Sequence, residues 1–245
     1  MLIYSCGSDN AYTPGKQVRI ISKTVELKII KDSLYADGAS TAMIELTIDS
    51  LSEGDKLKDE YKVIQIQCDQ GLFHKNKDNN LEVSLVQDNE DPTKYIGKAL
   101  VCGPTKIVKP YLNVYTSIEN VTIIDSVELF KAYPDSLILN ASKFAVKNHS
   151  SDEITITGQV RREIGIPTQG QEVAISILDN DGYQLTENIH YRNEQLYTDK
   201  NGHVSITISF WSIDYFGPVM IKGETLIPGG EIIDSITIDL ISPPE

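Results

Sequence analysis

The chain has few of the side chains that metals, redox groups and cofactors need: one Trp, three Cys, three Met and four His in 245 residues. The histidines fall at positions 74, 149, 190 and 203, and no two share the spacing of a metal-binding pair such as His-x-x-x-His. There is no Gly-x-Ser-x-Gly elbow, no glycine loop of phosphate-cradling type and no Cys-x-x-Cys. Carboxylates are plentiful, but they lie in polar stretches at no spacing that would set up an acid/base pair. The expectation is therefore a non-enzymatic protein with no metal and no cofactor. Basic residues are also scarce, 22 against 35 acidic, for a formal charge of −13. Binding to nucleic acid or to an anionic membrane surface needs clustered Lys and Arg, so neither is expected as a partner. No run approaches the roughly 20 apolar residues of a membrane-spanning helix, which leaves membrane association only through a lipid anchor. Nothing holds apolar residues at helical spacing over a dozen positions.

What the chain has instead is β-branched and alternating. Ile and Val dominate its aliphatic content, and branching at Cβ costs rotamer freedom in a helix while packing well on a pleated surface. Ala42, Ile44, Leu46 and Ile48 share one phase, with Met43, Glu45, Thr47 and Asp49 in the other. Successive strand side chains point to opposite faces, so this is a half-buried strand. The pattern returns at Ile64/Ile66/Cys68, Leu81/Val83/Leu85, Leu100/Cys102, Leu112/Val114, Ile154/Ile156 with Val160, Val173/Ile175/Ile177, Val204/Ile206/Ile208/Phe210 and Ile236/Ile238/Leu240. Turn formers separate these segments, among them Asp69-Gln70-Gly71, Asp179-Asn180-Asp181-Gly182, Asn201-Gly202 and Pro228-Gly229-Gly230. Short strands at regular intervals without helices predict an all-β chain.

A repeated phrase points to two units. Thr24-Val25-Glu26-Leu27 leads to Asp32-Ser33-Leu34, and Ser126-Val127-Glu128-Leu129 leads to Asp135-Ser136-Leu137, about one small domain further on. The expected organisation is a tether over residues 1–23, one sandwich over 24–125 and a second over 126–245.

The phrase Ser33-Leu34-Tyr35-Ala36-Asp37-Gly38-Ala39-Ser40-Thr41-Ala42, running into Met43-Ile44-Glu45-Leu46-Thr47-Ile48, resembles the opening of bacterial Ig-like domains of the invasin/intimin type. Ile66-Gln67-Cys68-Asp69-Gln70-Gly71-Leu72-Phe73 is similar to that family's strand with a Gly-aromatic turn. Thr198-Asp199-Lys200-Asn201-Gly202-His203-Val204 resembles a later passage, with Val in place of Ala. In the second unit, residues 140–151 replace the short Ala-Asp-Gly turn with a longer stretch. The resemblance implies two tandem immunoglobulin-like β-sandwiches, with an adhesive, spacer or display role at the cell surface and no catalytic residues. The ligand it leaves open is an unknown surface protein or glycan.

Four places could carry more than structure. Ile3-Tyr4-Ser5-Cys6, followed by Gly7-Ser8-Asp9-Asn10, resembles a lipobox, which makes Cys6 the lipidation candidate in an exported, envelope-located protein. Only five residues precede Cys6, and the alternative is an ordinary free cysteine. Cys68 and Cys102 both fall in inward strand phases, where they either form a disulfide or fill the core as small hydrophobes. Asp179-Asn180-Asp181-Gly182 has the opening of a calcium loop. The twelfth position is His190 rather than Glu, so a turn is the expected role. Lastly, Trp211 and Tyr215 sit in the one aromatic cluster, Phe210 to Gly217. They either form a binding patch for a sugar or a protein, or close the end of a core.

Overall fold

A computed structural model describes residues 18–20, 23–50, 57–118, 121–148, 152–211 and 213–242. Contacts divide the chain into two compact units. One comprises residues up to Leu34, 41–102 and 109–128; the other comprises 35–40, 103–108 and the chain from Leu129 onward. Cys6 lies outside the described residues.

The first eleven strands are β1 (Val18–Ile20), β2 (Lys23–Ile30), β3 (Ser33–Tyr35), β4 (Thr41–Ser50), β5 (Val63–Cys68), β6 (Leu72–Phe73), β7 (Asn80–Ser84), β8 (Val86–Gln87), β9 (Lys94–Cys102), β10 (Tyr111–Ile118) and β11 (Val121–Phe130). One sheet runs β1-β2-β4-β9-β6, with β8 also on β9, and the other runs β3-β11-β10-β5-β7. The alternation in β4 sets the face: Ala42, Ile44, Leu46 and Ile48 are all buried, while Met43 is exposed. Leu27, Val101, Ile66, Leu112, Val114 and Ile123 are buried with them. Each such aliphatic side chain contributes about 2 kcal/mol when fully removed from water.

The second unit carries β12 (Ser136–Ala141), β13 (Ala145–Lys147), β14 (Glu153–Arg161), β15 (Ala174–Leu178), β16 (Ile189–Gln195), β17 (His203–Phe210), β18 (Gly217–Ile227) and β19 (Gly230–Ile241). Its sheets are β12-β14-β17-β16 and β13-β19-β18-β15. Its core gathers Leu137, Ile154, Ile156, Val204, Ile208, Phe210, Val219, Ile221 and Leu240. Among the described residues the only helical turn is the three-residue 3₁₀ segment Asp59–Tyr61. Each unit is thus a two-layer, mainly antiparallel sandwich, and in the second β13 pairs parallel to β19.

The two copies of the repeated phrase do not fall on equivalent strands. The first occupies β2 and the start of β3, whereas the second spans the end of β11 and the start of β12. The equivalence shows instead in how each unit fastens its opening strand. In the first unit the Ile29 N–H, on β2, donates to Asp125 Oδ2 on β11 at 2.6 Å. In the second the Leu139 N–H, on β12, donates to Asp234 Oδ2 on β19 at 2.7 Å. In each unit a carboxylate from the last strand reaches across to the other sheet and satisfies a backbone donor that would otherwise cost free energy.

The Ala36-Asp37-Gly38 phrase is a turn held by its own aspartate. Asp37 Oδ1 accepts the backbone N–H groups of Ala39 and Ser40 at 2.9 and 2.6 Å, and Oδ2 accepts the Ser40 hydroxyl at 2.6 Å. Gly38 takes the left-handed conformation the turn requires, φ 71°.

Candidate functional site

The sheet β12-β14-β17-β16 presents the most polar strand face of the second unit. Along β17, Val204, Ile206, Ile208 and Phe210 are buried in the core. The period of two therefore turns His203, Ser205, Thr207 and Ser209 outward, and Trp211 continues that row. Register aligns the row across the sheet: Asn140, Thr157, Ser205 and Gln195 stand in one line over four strands. In the next line Gln159 stands beside His203.

Three zones follow along this face. At one end the Trp211 ring packs on His190, with centroids 4.5 Å apart and planes tilted by 42°. The indole N–H donates to Ser209 Oγ at 3.2 Å, and the Trp211 backbone N–H donates to Asn188 O at 2.8 Å. In the middle Arg192 on β16 reaches Glu153 on β14, Nη1 to Oε1 at 2.9 Å. Because β17 lies between those strands, the ion pair crosses above it, and Thr207 and Ser209 beneath are buried. At the other end is a groove of about 410 Å³ lined by Asn140, Thr157, Gln159, Asp199, His203 and Ser205. Gln159 donates its amide N–H to Asn201 O at 3.1 Å, which turns Oε1 toward His203 Nε2 at 2.9 Å. That orientation makes His203 Nε2 the protonated ring nitrogen. Asp199 is held below the usual carboxylate range, first by the His203 backbone N–H and then by that of Asn201.

Tyr215 does not join Trp211. Its hydroxyl donates to Pro218 O at 2.7 Å and accepts the Asn180 N–H at 3.1 Å, and its ring packs against the core. It braces the turn that opens at Asp179, whose Oδ1 in turn accepts the N–H groups of Asp181 and Tyr183. The loop carrying Tyr215 is pinned from below, where the buried Asn148 side chain donates to Ile213 O and accepts the Ile213 N–H. Trp211, 38% exposed, is therefore partnered by His190, which no spacing in the sequence links to it. The signal for that contact is the register of β16 on β17, which sets His190 opposite Ser209.

The two described cysteines are free and buried, one on each sheet of the first unit. Cys68 Sγ lies 3.4 Å from Gly71 O as a donor, and Cys102 Sγ lies 3.6 Å from His74 Nδ1. Burial, then the charges of Asp69 and Asp78, push the Cys68 thiol up to about 12. A raised folded-state value means the thiol is protonated in the folded chain while it ionises on unfolding. Stability contributed by this group is present below the ordinary thiol value and is lost as pH climbs from about 9 to about 12. The expected result is negligible alkylation of Cys68 by iodoacetamide in the native chain at pH 8, with rapid labelling in denaturant. Native labelling at the denatured rate, read by peptide mass, would contradict it.

No family model matches the sequence, and no curated protein matches it. The fold does match solved structures. The integrin-binding bacterial protein invasin superposes with a TM-score of 0.59 at 15% identity, over 91% of this chain and 40% of that one. The Yersinia pseudotuberculosis adhesin InvE superposes with a TM-score of 0.51 at 10% identity, over 89% of this chain and 58% of that one. The chain therefore spans less than two thirds of either structure. At such identities the likeness shows the fold alone: immunoglobulin-like β-sandwiches.

Proposed function

We propose that the chain is an exported, non-enzymatic bacterial surface protein whose immunoglobulin-like units serve as an adhesive or spacer module, held at the envelope by a lipid on Cys6. The observation that carries this reading is the succession of two sandwiches whose fold is that of invasin and an adhesin. The acidic balance supports it, since −13 keeps such modules soluble and mutually repelling. A second reading is a carbohydrate- or protein-binding accessory subunit of an envelope assembly. It is favoured by the outward Trp211 packed on His190, an aromatic anchor of the kind interfaces use.

The test uses the gene with its native upstream sequence, expressed in its own host. Intact cells are treated with protease and then fractionated, in parallel with Cys6→Ser. Surface cleavage of the wild type, with release of the variant from the membrane fraction, is the expected result. Protection from protease in a soluble cytoplasmic fraction would overturn export and anchoring together. For the second reading, Trp211→Ala abolishes binding to an isolated envelope fraction while leaving the fold intact; unchanged binding removes it.

A further inference from the structure

A second concavity lies in the second unit, away from the sheet face just described. It is a groove of about 610 Å³ whose walls include Tyr133, Tyr197, Lys131, Glu172, Glu224 and Leu226. Three large side chains on it are left in solvent: Leu226 at 67%, Tyr197 at 59% and Tyr133 at 36% exposure. Single exposed hydrophobes need no explanation, but two tyrosines and a leucine converging on one depression do.

The floor is preformed. The Thr198 N–H donates to Gln171 O, and the Gln171 N–H donates to Thr198 Oγ1, both at 2.9 Å. The Val173 N–H donates to Leu196 O at 2.8 Å, and Thr225 Oγ1 donates to Glu172 O at 2.7 Å. Three chain segments are thereby knitted together under the groove, so a ligand orders little on arrival. The buried Gln171 amide donates from Nε2 to Thr225 Oγ1 at 2.7 Å and to Leu226 O at 3.0 Å. Leu226 O can only accept, so the amide orientation is fixed and the acceptor is Oε1. That Oε1 is buried without a hydrogen-bond partner, at a cost of order 1–3 kcal/mol.

The walls define the ligand's chemistry by what they would leave unpaired. Lys131, 5.1 Å above the Tyr133 ring, faces the carboxylate of Glu172, while Glu224 on the same wall is already paired with Lys222, Nζ to Oε2 at 2.8 Å. A phosphate, sulfate or sialic acid finds no excess of positive charge there, because Glu172 offsets Lys131 and Glu224 holds Lys222. A purely apolar ligand would strip water from the Glu172 carboxylate and the Lys131 ammonium without replacing it. Hydroxyl groups pair with both, and the C–H face of a pyranose stacks on a tyrosine ring. We infer that the Tyr133–Tyr197 groove is a binding site for a neutral saccharide. This inference does not depend on where the chain resides.

The full chain is titrated calorimetrically with cellotriose, maltotriose and tri-N-acetylchitotriose, with 3′-sialyllactose as the charged control. At least one neutral trisaccharide binds with a dissociation constant below about 1 mM. Tyr197→Ala weakens that binding about tenfold or more, while Tyr197→Phe, which keeps the ring, stays within about threefold. Trp211→Ala leaves it unchanged, which separates this groove from the other face. The inference is overturned if no neutral trisaccharide binds at about 10 mM, if Tyr197→Ala binds as the wild type does, or if sialyllactose binds as tightly as the neutral sugars.

Discussion

Replacing Phe73 with alanine is expected to lower the unfolding free energy of the first unit by about 4 kcal/mol, the upper range for emptying a buried aromatic site. The ring is completely buried although its strand, β6, has only two residues. That strand is held by pairing on β9, Leu72 with Cys102 and Phe73 with Val101, and by the Phe73 N–H donating to Asp78 O at 2.7 Å. The approach to it is equally constrained. Gly71 sits at φ 87°, and a Cβ placed there would lie 2.5 Å from Cys102 O and 2.8 Å from Leu112 Cδ1. The surroundings cannot close over the vacated volume without moving β9, the central strand on which β4, β6 and β8 all pair, so the cavity term is retained in full. Leu72→Ala, next door but 44% exposed, costs about 0.5 kcal/mol or less. Hydrogen exchange of the β9 amides under increasing denaturant measures both, because the single Trp lies in the other unit. Equal losses for the two variants would show that β6 is not a core element.

The Gly-aromatic turn that makes Phe73 consequential was legible in the sequence, and so were most inward residues; Leu100, expected inward with Cys102, is exposed, because Ala99 and Val101 take the core phase of β9 and Cys102 is buried at its end. A period of two is a local property, and Ala42, Ile44, Leu46 and Ile48 declare their face without reference to the rest of the chain. What was not legible depends on register and on side chains reaching between sheets. His190 and Trp211 are 21 positions apart and meet because β16 pairs on β17 in one particular alignment. Asp125 and Asp234 read as polar interruptions in alternating strands, and only the fold reveals that each closes an opening strand. The repeated phrase misled for a related reason. It matches strings on non-equivalent strands, whereas the structural repeat is one of strand position, carried by the aspartates of Ile123-Ile124-Asp125-Ser126 and Ile232-Ile233-Asp234-Ser235, a shared phrase at the last strand of each unit. Tyr133 and Tyr197 gave no signal, being isolated aromatics in turn-rich stretches that three separate segments bring onto one groove.

Asp37→Ala is expected to cost the second unit about 3 kcal/mol, more than most polar substitutions. Three hydrogen bonds end on this carboxylate, and the residue is only 2% exposed, so water cannot take over as acceptor once it is gone. The loss extends beyond the turn. Arg162 Nη1 lies 3.8 Å from Asp37 Oδ2, its guanidinium sits 5.5 Å from the centre of the Tyr35 ring, and its Nε and Nη1 are buried without hydrogen-bond partners. Removing the anion leaves that cation buried beside an aromatic ring alone, and stripping one partner from such an arrangement costs more than the pair itself contributes. Asp37→Asn separates the two effects. Its amide oxygen still accepts the Ala39 and Ser40 N–H groups, while the countercharge to Arg162 is lost. The asparagine variant is therefore expected to fall between wild type and alanine, and to approach wild type in the double variant with Arg162→Met. Guanidinium unfolding followed by Trp211 fluorescence reports this unit directly. If Asp37→Ala unfolds within about 0.5 kcal/mol of wild type, then water replaces the carboxylate, and the Ala-Asp-Gly phrase has no role in holding the turn.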